Sequence, residues 1–364
     1  MRAIITCGGT GGHITPALAI ADIIKARDAR AELLFVGAKH GMEGEMISHA
    51  GYDVRLLEVE GLARKLSFDN VRVLWHAVRA RREAAEIVKL FDPDIVIGTG
   101  GYACYPTLRA AIDAKVPSVV HESNAVPGLT VKLLAPRLTR VWLNFERARE
   151  ALPRGASTLV VGNPISYGCV ASSAITLPEG RKRMLLSFGG SLGADALNSA
   201  VLSLMERVAE HPEIYHLHAT GKRAYEKVYQ EFCQRGMKAH KNLSLVPFIT
   251  PMPSYMAAAD LVISRAGAMT VSELAALGRA AILVPSPNVT GNHQYKNAAA
   301  LAAREAALLL REEELEAKLT QTVFSLLENE EKRGRMSRNI RLFYDPQANE
   351  RIWRDILFLC RCRR

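Results

Sequence analysis

Three glycine-rich segments of this 364-residue chain have the residue types and spacing that point to chemistry. They occupy positions 8–12, 98–101 and 189–193, and each follows a short apolar run. A glycine turn between a strand and a helix directs backbone N–H groups and the positive helix end at one point, which attracts phosphate. A single such segment is explained equally well by a tight turn alone. Three of them predict a crevice that binds an anionic ligand.

Two common nucleotide-binding motifs do not fit these segments. The first segment and its neighbours lack the Gly-Lys-Ser/Thr ending of a P-loop, which argues against ATP hydrolysis of that type. The spacing of Gly8, Thr10 and Gly12 departs from the dinucleotide pattern, and Gly37 stands where an acidic residue is expected after the second strand. A nicotinamide-dependent enzyme is therefore kept only as an alternative.

Polar side chains of the first half lie close to these turns. His13 follows Gly12 near the start of a helix, where the helix dipole favours the neutral ring that a general base requires. A helix cap or a bond to a loop carbonyl explains His13 equally well. After the apolar run 118–120, we expect His121 to be structural and Glu122 and Asn124 to bind a polar ligand.

The second half offers a similar set after the run 261–263. Thr270 and Ser272 suit the first positions of a helix, and Glu273 suits its first turn. Alternatively, the Glu273 carboxylate accepts two hydrogen bonds from a sugar diol. His293 and Gln294 open the next helix, and their side chains could reach the same crevice.

Short β-branched runs alternate with longer helical patterns, which predicts a doubly wound α/β fold with parallel sheets. Predicted strands cover 3–6, 33–36, 94–97, 118–120, 158–161, 184–188, 215–218, 243–246, 261–263 and 281–284. Predicted helices include 16–26, 71–90 and 194–208. The strand–glycine–helix pattern near residue 6 recurs near residue 187, so we expect two similar domains, 1–163 and 164–345, with a C-terminal helix within 346–364 returning to the first.

Composition excludes several classes of protein. Hydrophobic residues make up 49% and charged residues 23%, as in a globular chain with a sizeable core. The net charge of +10 favours anionic partners, but only 6% of residues are aromatic and none alternate with basic residues as in RNA-binding domains, so we expect no nucleic acid. Six cysteines lack metal-ligand spacing, and the first residues lack a signal-peptide pattern, which favours a reduced cytoplasmic chain without structural zinc.

A basic segment around residues 62–90 has a second possible role. Leu74 and Trp75 lie at helical spacing with other apolar residues, which usually indicates core packing. If they are exposed instead, they would enter a bilayer while nearby arginines bind anionic head groups. Those arginines are Arg72, Arg79, Arg81 and Arg82, of which Arg72, Arg79 and Arg82 are the candidate membrane residues.

The motifs taken together resemble one family closely. They are Gly8-Gly-Thr-Gly-Gly-His13, Pro16-Ala-Leu-Ala19, Gly98-Thr-Gly-Gly-Tyr102, His121-Glu-Ser-Asn124, Gly162-Asn-Pro164, Gly189-Gly-Ser-Leu-Gly-Ala194 and the segment 265–273. In this order they resemble the MurG family of N-acetylglucosaminyltransferases, from Met1 to about Asn297. The resemblance implies a GT-B fold, in which two Rossmann-like domains face each other across a cleft.

The resemblance also implies a reaction. GlcNAc would pass with inversion from UDP-GlcNAc to the 4-hydroxyl of MurNAc in lipid I, an undecaprenyl-diphosphate carrier, forming lipid II for peptidoglycan. The chain would act peripherally at the cytoplasmic face of the inner membrane and contact its anionic surface, with other cell-wall synthesis proteins as candidate partners. No cofactor or metal would be required, because helix N-termini can stabilise the departing diphosphate.

The resemblance assigns roles to individual residues. The donor in the C-terminal domain would contact Ser191, Phe248, Ile249, Ala268, Met269, Thr270, Glu273, His293 and Gln294. Of these, Phe248 and Ile249 would lie by the uracil and Glu273 on the ribose. In the N-terminal domain, the transferred sugar would be approached by Thr10, Gly11, Gly12 and Asn124. The acceptor diphosphate would bind Gly100, Gly101 and Tyr102, and His13 is the candidate general base.

Three residues depart from the family pattern. Ser166 replaces an arginine, which would weaken donor binding unless another basic residue such as Arg265 compensates. Ser123 and Leu192 replace glutamines. A glycolipid synthase, a UDP-GlcNAc 2-epimerase and a non-catalytic membrane scaffold are the alternatives to this function.

Overall fold

The computed structural model describes residues 1–9, 11–59, 69–190 and 193–361, without the side chains of residues 69–78 and 290. The chain forms two compact units. Unit 1 comprises Met1–Tyr167 and Asp345–Arg364, and unit 2 comprises Gly168–Tyr344. The sequence placed the two divisions after residues 163 and 345; the chain passes between the units after residues 167 and 344.

Unit 1 is built on a parallel sheet, with seven strands in the described residues. They are β1 (Arg2–Thr6), β2 (Glu32–Ala38), β3 (Asp53–Leu57), β4 (Ile95–Gly98), β5 (Ser118–Glu122), β6 (Arg140–Leu143) and β7 (Thr158–Val160). Their order is β3-β2-β1-β4-β5-β6-β7. The direction of winding reverses between β1 and β4, and ligands of such sheets bind outside the carboxyl ends of the strands at that switch point.

Unit 2 repeats this arrangement, with six parallel strands in its described part. They are β8 (Arg183–Phe188), β9 (Ile214–Ala219), β10 (Leu243–Val246), β11 (Leu261–Ser264), β12 (Ala281–Leu283) and β13 (Leu308–Leu309). The order β10-β9-β8-β11-β12-β13 places the switch point between β8 and β11. The third glycine segment follows β8, just as the first follows β1.

Helices connect the strands in both units. They are α1 (Gly11–Arg27), α2 (Glu43–His49), α3 (Asp69–Phe91), α4 (Cys104–Asp113), α5 (Leu129–Leu134), α6 (Tyr167–Val170), α7 (Asp195–Ala209), α8 (Tyr225–Gln234), α9 (Met252–Ala258), α10 (Ala268–Leu277), α11 (His293–Ala302), α12 (Leu315–Glu328), α13 (Glu330–Arg341) and α14 (Ala348–Arg361). Short 3₁₀ turns occur at Glu146–Ala151, Met237–Ala239, Thr290–Asn292 and Glu312–Glu314. Among the described residues, no helix has both the length and the apolar character needed to cross a bilayer.

The C-terminal helix α14 belongs to the core of unit 1. Ile352 and Ile356 are fully buried in the cluster that contains Ile5 and Trp142. The Trp142 indole Nε1 donates a hydrogen bond of 2.6 Å to Asp355, whose carboxylate also lies 3.5 Å from Arg140. A buried indole N–H requires an acceptor, so this bond fixes the register of α14 against β6.

We expect Asp355→Ala to destabilise unit 1 by about 2–3 kcal/mol, because the buried Trp142 N–H loses its acceptor and Arg140 loses its ion pair. Urea unfolding followed by tryptophan fluorescence measures this change. Asp355→Asn is the matched control, since its amide oxygen can still accept from the indole, and its loss should be clearly smaller. Equal unfolding midpoints for Asp355→Ala and the unaltered chain would contradict this role.

Candidate functional site

In unit 1 the first two glycine segments lie side by side, because β1 and β4 are paired neighbours. A Cβ added to Gly9 would lie 3.2 Å from the Tyr102 ring, and one added to Gly8 would overlap Ala103. Gly101, with a φ of +85°, packs against the Gly8 carbonyl oxygen so closely that no side chain fits there. The two segments therefore form one closely packed surface at the switch point.

His13 is the third residue of α1 and lies against the second glycine segment. Its Nδ1 is 2.9 Å from the Thr99 carbonyl oxygen, and the Thr99 hydroxyl donates to the His13 carbonyl at 2.7 Å. Gly100 has a φ of +96°, and a Cβ there would lie 2.9 Å from Nδ1. A carbonyl oxygen only accepts, so Nδ1 carries the hydrogen and Nε2 of the neutral ring is free to accept a proton.

The loop after β5 is shaped by Glu122, which is 5% exposed. One carboxylate oxygen accepts from the Asn124 backbone N–H at 2.9 Å and from its amide at 3.1 Å, and the other accepts from the Gly128 N–H at 2.9 Å. Glu122 therefore holds the shape of its own loop, and its binding of a ligand stays a prediction. Asn124 retains its amide oxygen as the atom that it can offer to a ligand.

His121 is structural, as its buried position on β5 requires. Its Nε2 lies 2.9 Å from the Gly162 carbonyl oxygen, to which it donates. Burial lowers the pKa of His121 to about 4, so the ring is neutral at physiological pH.

In unit 2 the third glycine segment is supported by the end of β9. Gly193, with a φ of +81°, packs against the Thr220 carbonyl oxygen, which also accepts from the Asn198 amide at 3.1 Å. Asn198 in turn lies 3.1 Å from Nε2 of His218. Burial lowers the pKa of His218 to about 4, so this network carries no positive charge at neutral pH. These hydrogen bonds fix the position of the start of α7 relative to the third glycine segment.

Helix α10 begins directly beyond β11, on the other side of the unit 2 switch point. Ala268 and Met269 are buried and form its first two residues, and Thr270 is half-buried. Glu273 is the sixth residue, so the prediction that it occupies the first turn is wrong. Desolvation in its partly enclosed surroundings raises the pKa of Glu273 to about 7. A carboxylate kept from water is suited to accept hydrogen bonds from a ligand.

Arg265 lies between β11 and α10 and binds other parts of unit 2. Its guanidinium donates to the Val284 and Pro285 carbonyls, both at 3.3 Å, and forms an ion pair with Glu312. The expectation that Arg265 compensates for Ser166 is not supported, because its charge is already paired. In unit 1 the Ser166 hydroxyl donates to Asp22.

The remaining predicted donor contacts lie at the start of α11 and beyond β10. Gln294, near the start of α11, accepts the Ser286 N–H at 2.9 Å, which leaves its amide NH₂ group to donate to a ligand. His293 is the first residue of that helix. Beyond β10, Phe248 is half-buried, but Ile249 is only 4% exposed, so a ligand there can meet the Phe248 ring and the backbone of Ile249.

Several predicted site residues lie outside the described part of the structure. Thr10 and Ser191 are not described, and the same holds for the side chains of Arg72, Leu74 and Trp75. Helix α3 contains residues 69–90 of the predicted membrane segment, and Arg79 and Arg82 on it are exposed. The predicted acceptor-binding residues differ in exposure. Gly100 is buried, whereas partial or full exposure is found for Gly11, Gly12, Gly101 and Tyr102.

Acidic and thiol groups elsewhere do not form a metal-ligand cluster among the described residues. Asp92 and Asp94 have Asp-x-Asp spacing, but they precede β4 and so lie at the end of the sheet opposite the glycine turns. The Asp94 carboxylate accepts the Arg2 backbone N–H at 2.9 Å. Cys7 and Cys104 are free and buried, and burial raises the pKa of the Cys104 thiol to about 12. Neither thiol is a nucleophile at neutral pH.

The residues that orient the predicted site residues were not predicted from the sequence. Thr99 fixes the orientation of the His13 ring. The sequence signal that could have identified Thr99 is its position inside the second glycine segment. Thr220 and Asn198 support the third segment through contacts distant in sequence, which no local pattern reveals.

Glycine turns at the switch point of a Rossmann-like unit, repeated in the two halves of one chain, are typical of GT-B glycosyltransferases. The family model of the glycosyltransferase family 28 N-terminal domain matches residues 3–143, and that of the C-terminal domain matches residues 184–352. The chain belongs to glycosyltransferase family 28.

Two relatives within that family carry the same name. A protein of Desulforamulus reducens is 39% identical, covering 96% of both chains, and one of Acetivibrio thermocellus is 38% identical, covering 98% of this chain and 97% of the relative. Both are called UDP-N-acetylglucosamine–N-acetylmuramyl-(pentapeptide) pyrophosphoryl-undecaprenol N-acetylglucosamine transferase. The crystal structure of MurG from Acinetobacter baumannii is similar, with a TM-score of 0.68, 26% identity and coverage of 98% of this chain and 99% of that one.

Proposed function

We propose that the chain transfers GlcNAc from UDP-GlcNAc to the 4-hydroxyl of MurNAc in lipid I, forming lipid II. The acceptor oxygen attacks C1 of GlcNAc as the bond from C1 to the diphosphate oxygen breaks, and UDP leaves with the electron pair. His13 takes the hydroxyl proton at Nε2. The observation that carries the proposal is the hydrogen bond from His13 Nδ1 to the Thr99 carbonyl, which leaves Nε2 as the accepting nitrogen at the unit 1 switch point. The names of the relatives support the same reaction.

The donor is proposed to bind unit 2. The glycine turn after β8 and the first turn of α10 supply backbone N–H groups for the diphosphate, on either side of the switch point. Glu273 accepts from the ribose hydroxyls, Phe248 lies along the uracil, and Gln294 donates to GlcNAc hydroxyls. The helix ends stabilise departing UDP, so we propose that no metal is needed.

The lipid acceptor is proposed to bind unit 1. Gly101, Tyr102 and the start of α1 receive its diphosphate, and Asn124 offers an amide oxygen to a sugar hydroxyl. The exposed Arg79 and Arg82 support a membrane-facing role for α3, since an undecaprenyl chain requires the enzyme to work at a lipid surface.

Transfer of radiolabelled GlcNAc to a short-chain lipid I analogue in the presence of EDTA tests the proposal. We expect a single β-1,4-linked product at an undiminished rate. No transfer, while UDP-GlcNAc still raises the unfolding temperature, would overturn the acceptor assignment and favour a glycolipid synthase or an epimerase. Transfer abolished by EDTA and restored by a divalent cation would overturn the metal-independent step.

Glu122→Ala is expected to lower kcat/KM for the lipid I analogue by about tenfold, because two backbone N–H groups of the loop lose their acceptor and Asn124 loses its orientation. The UDP-GlcNAc Kd should stay unchanged, since the proposed donor residues belong to unit 2. Glu122→Gln, which retains one accepting oxygen, should lose less. Steady-state kinetics with each substrate varied separately measures the effect, and a change in donor Kd would contradict it.

A further inference from the structure

A buried carboxylate that the proposed mechanism does not use lies behind the first glycine segment. Glu43, the first residue of α2, has no exposed surface. Its Oε1 accepts the Gly9 N–H at 2.8 Å and the Ala38 N–H at 3.2 Å. One oxygen atom therefore joins the turn after β1 to the end of β2.

Two glycines make room for this carboxylate. A Cβ on Gly37 would lie 2.7 Å from the Glu43 Cβ, and a Cβ on Gly41 would overlap the carboxylate itself. The second oxygen, Oε2, is buried and has no hydrogen-bond partner among the described residues. A buried oxygen without a partner costs stability.

The Gly9 N–H held by Glu43 belongs to the surface that carries His13. Gly9 packs on the Tyr102 ring, and the His13 ring packs on Gly100 in the adjoining segment. A shift of the first turn would therefore move both side chains. In addition, the Gly9 N–H is directed at Glu43 and is not available to an anion in front of the turn.

We propose that Glu43 is a positioning residue for acceptor binding and proton transfer: by accepting the Gly9 and Ala38 N–H groups, it holds the first glycine segment against the second. The proposal rests on the proposed function, because it assigns these segments to the acceptor. The anion of the acceptor then relies on the second segment and the start of α1, and the first turn serves as a rigid support for His13.

Glu43→Met and Glu43→Gln separate this role from general stability. Methionine has a similar volume but no accepting oxygen, whereas glutamine keeps an oxygen at the position of Oε1. We expect Glu43→Met to lower kcat/KM for the lipid I analogue by about 10- to 100-fold with a raised acceptor KM, because a misplaced base and binding surface cost that much. Glu43→Gln should stay within about threefold of the unaltered chain, since the hydrogen bonds are retained.

The UDP-GlcNAc Kd, measured by calorimetry, should not change in either variant. All transfer rates are measured well below the unfolding temperature of the variant concerned. Glu45→Gln, an exposed glutamate on the same helix, is the matched control. If Glu43→Met fails to fold, Glu43→Asp, whose oxygens are withdrawn by one methylene, should show the same rise in acceptor KM.

Three results would overturn the proposal. One is an acceptor KM unchanged in Glu43→Met, with kcat lowered only in proportion to the folded fraction. Another is equal impairment of Glu43→Gln and Glu43→Met, which would assign the effect to the charge. The third is a parallel loss of donor affinity. Absence of transfer by the unaltered chain would instead overturn the proposed function, so the two failures are distinguishable.

Discussion

His13→Ala is expected to lower kcat for GlcNAc transfer by about 10²- to 10⁴-fold, the usual contribution of a positioned general base. The Thr99 carbonyl holds Nδ1 as the donor, and loss of the ring removes the Nε2 atom that would take the acceptor proton. UDP-GlcNAc affinity should remain unchanged, because the proposed donor residues lie in unit 2. Single-turnover transfer to the lipid I analogue, together with calorimetry for the donor, measures the two effects separately.

His40→Ala provides the matched control for this experiment, since His40 is an exposed histidine of the same unit. It should leave kcat and both substrate affinities unchanged. A His13→Ala variant that transfers GlcNAc within about threefold of the normal rate would exclude the ring as the base, given the usual size of that contribution.

Donor affinity is expected to weaken by about tenfold between pH 8 and pH 6, because the pKa of Glu273 in the free protein is about 7. Ribose hydroxyls donate hydrogen bonds to the ionised carboxylate, so protonation at low pH competes with binding. Calorimetric titration with UDP-GlcNAc, whose diphosphate has no group that titrates in this range, measures the dependence. In Glu273→Gln the affinity should be low and independent of pH, whereas the exposed control Glu328→Gln should behave as the unaltered chain.

The same group should affect stability in the opposite direction. Its folded-state pKa of about 7 lies above the ordinary value of 4.5, so between these values the folded chain binds more protons than the unfolded chain. The stability of the unliganded protein therefore falls as pH rises through this window, by at most about 3 kcal/mol. Glu273→Gln should remove that slope and raise the unfolding temperature at pH 8 while weakening UDP binding. A destabilised Glu273→Gln would contradict this account.

Most of the fold could be predicted from the sequence because the central strands are continuous apolar runs. The predicted strands 3–6 and 184–188 correspond to β1 and β8 within one residue. The strand β3 was missed because it lies at the edge of its sheet and is largely exposed, so its pattern Asp-Val-Arg-Leu-Leu lacks an apolar run. The strands β6 and β13 were missed because they are short. β6 has four residues and begins with an arginine, although it lies inside its sheet. β13 has only two residues, and its identity depends on pairing with β12.

The candidate site was predictable only in part. Glycine turns are visible in sequence because few residues other than glycine tolerate their backbone angles, as at Gly101 and Gly193. The hydrogen-bond partner of each polar side chain was not visible. Glu122 looked like a ligand-binding residue and proved to be bound to its own loop, while Glu43 was not noticed among ordinary helix residues. Such partners are set by tertiary contacts between segments distant in sequence.

The packing of α14 into unit 1 has a consequence for the order in which the chain folds on the ribosome. Residues 1–167 are synthesised first, but the buried surface that includes Trp142 and Ile5 is covered only when Ile352 and Ile356 have been made. Unit 2, continuous in sequence, can fold in between. The half synthesised first is therefore finished last, and a nascent chain arrested within unit 2 leaves an apolar surface open to chaperones.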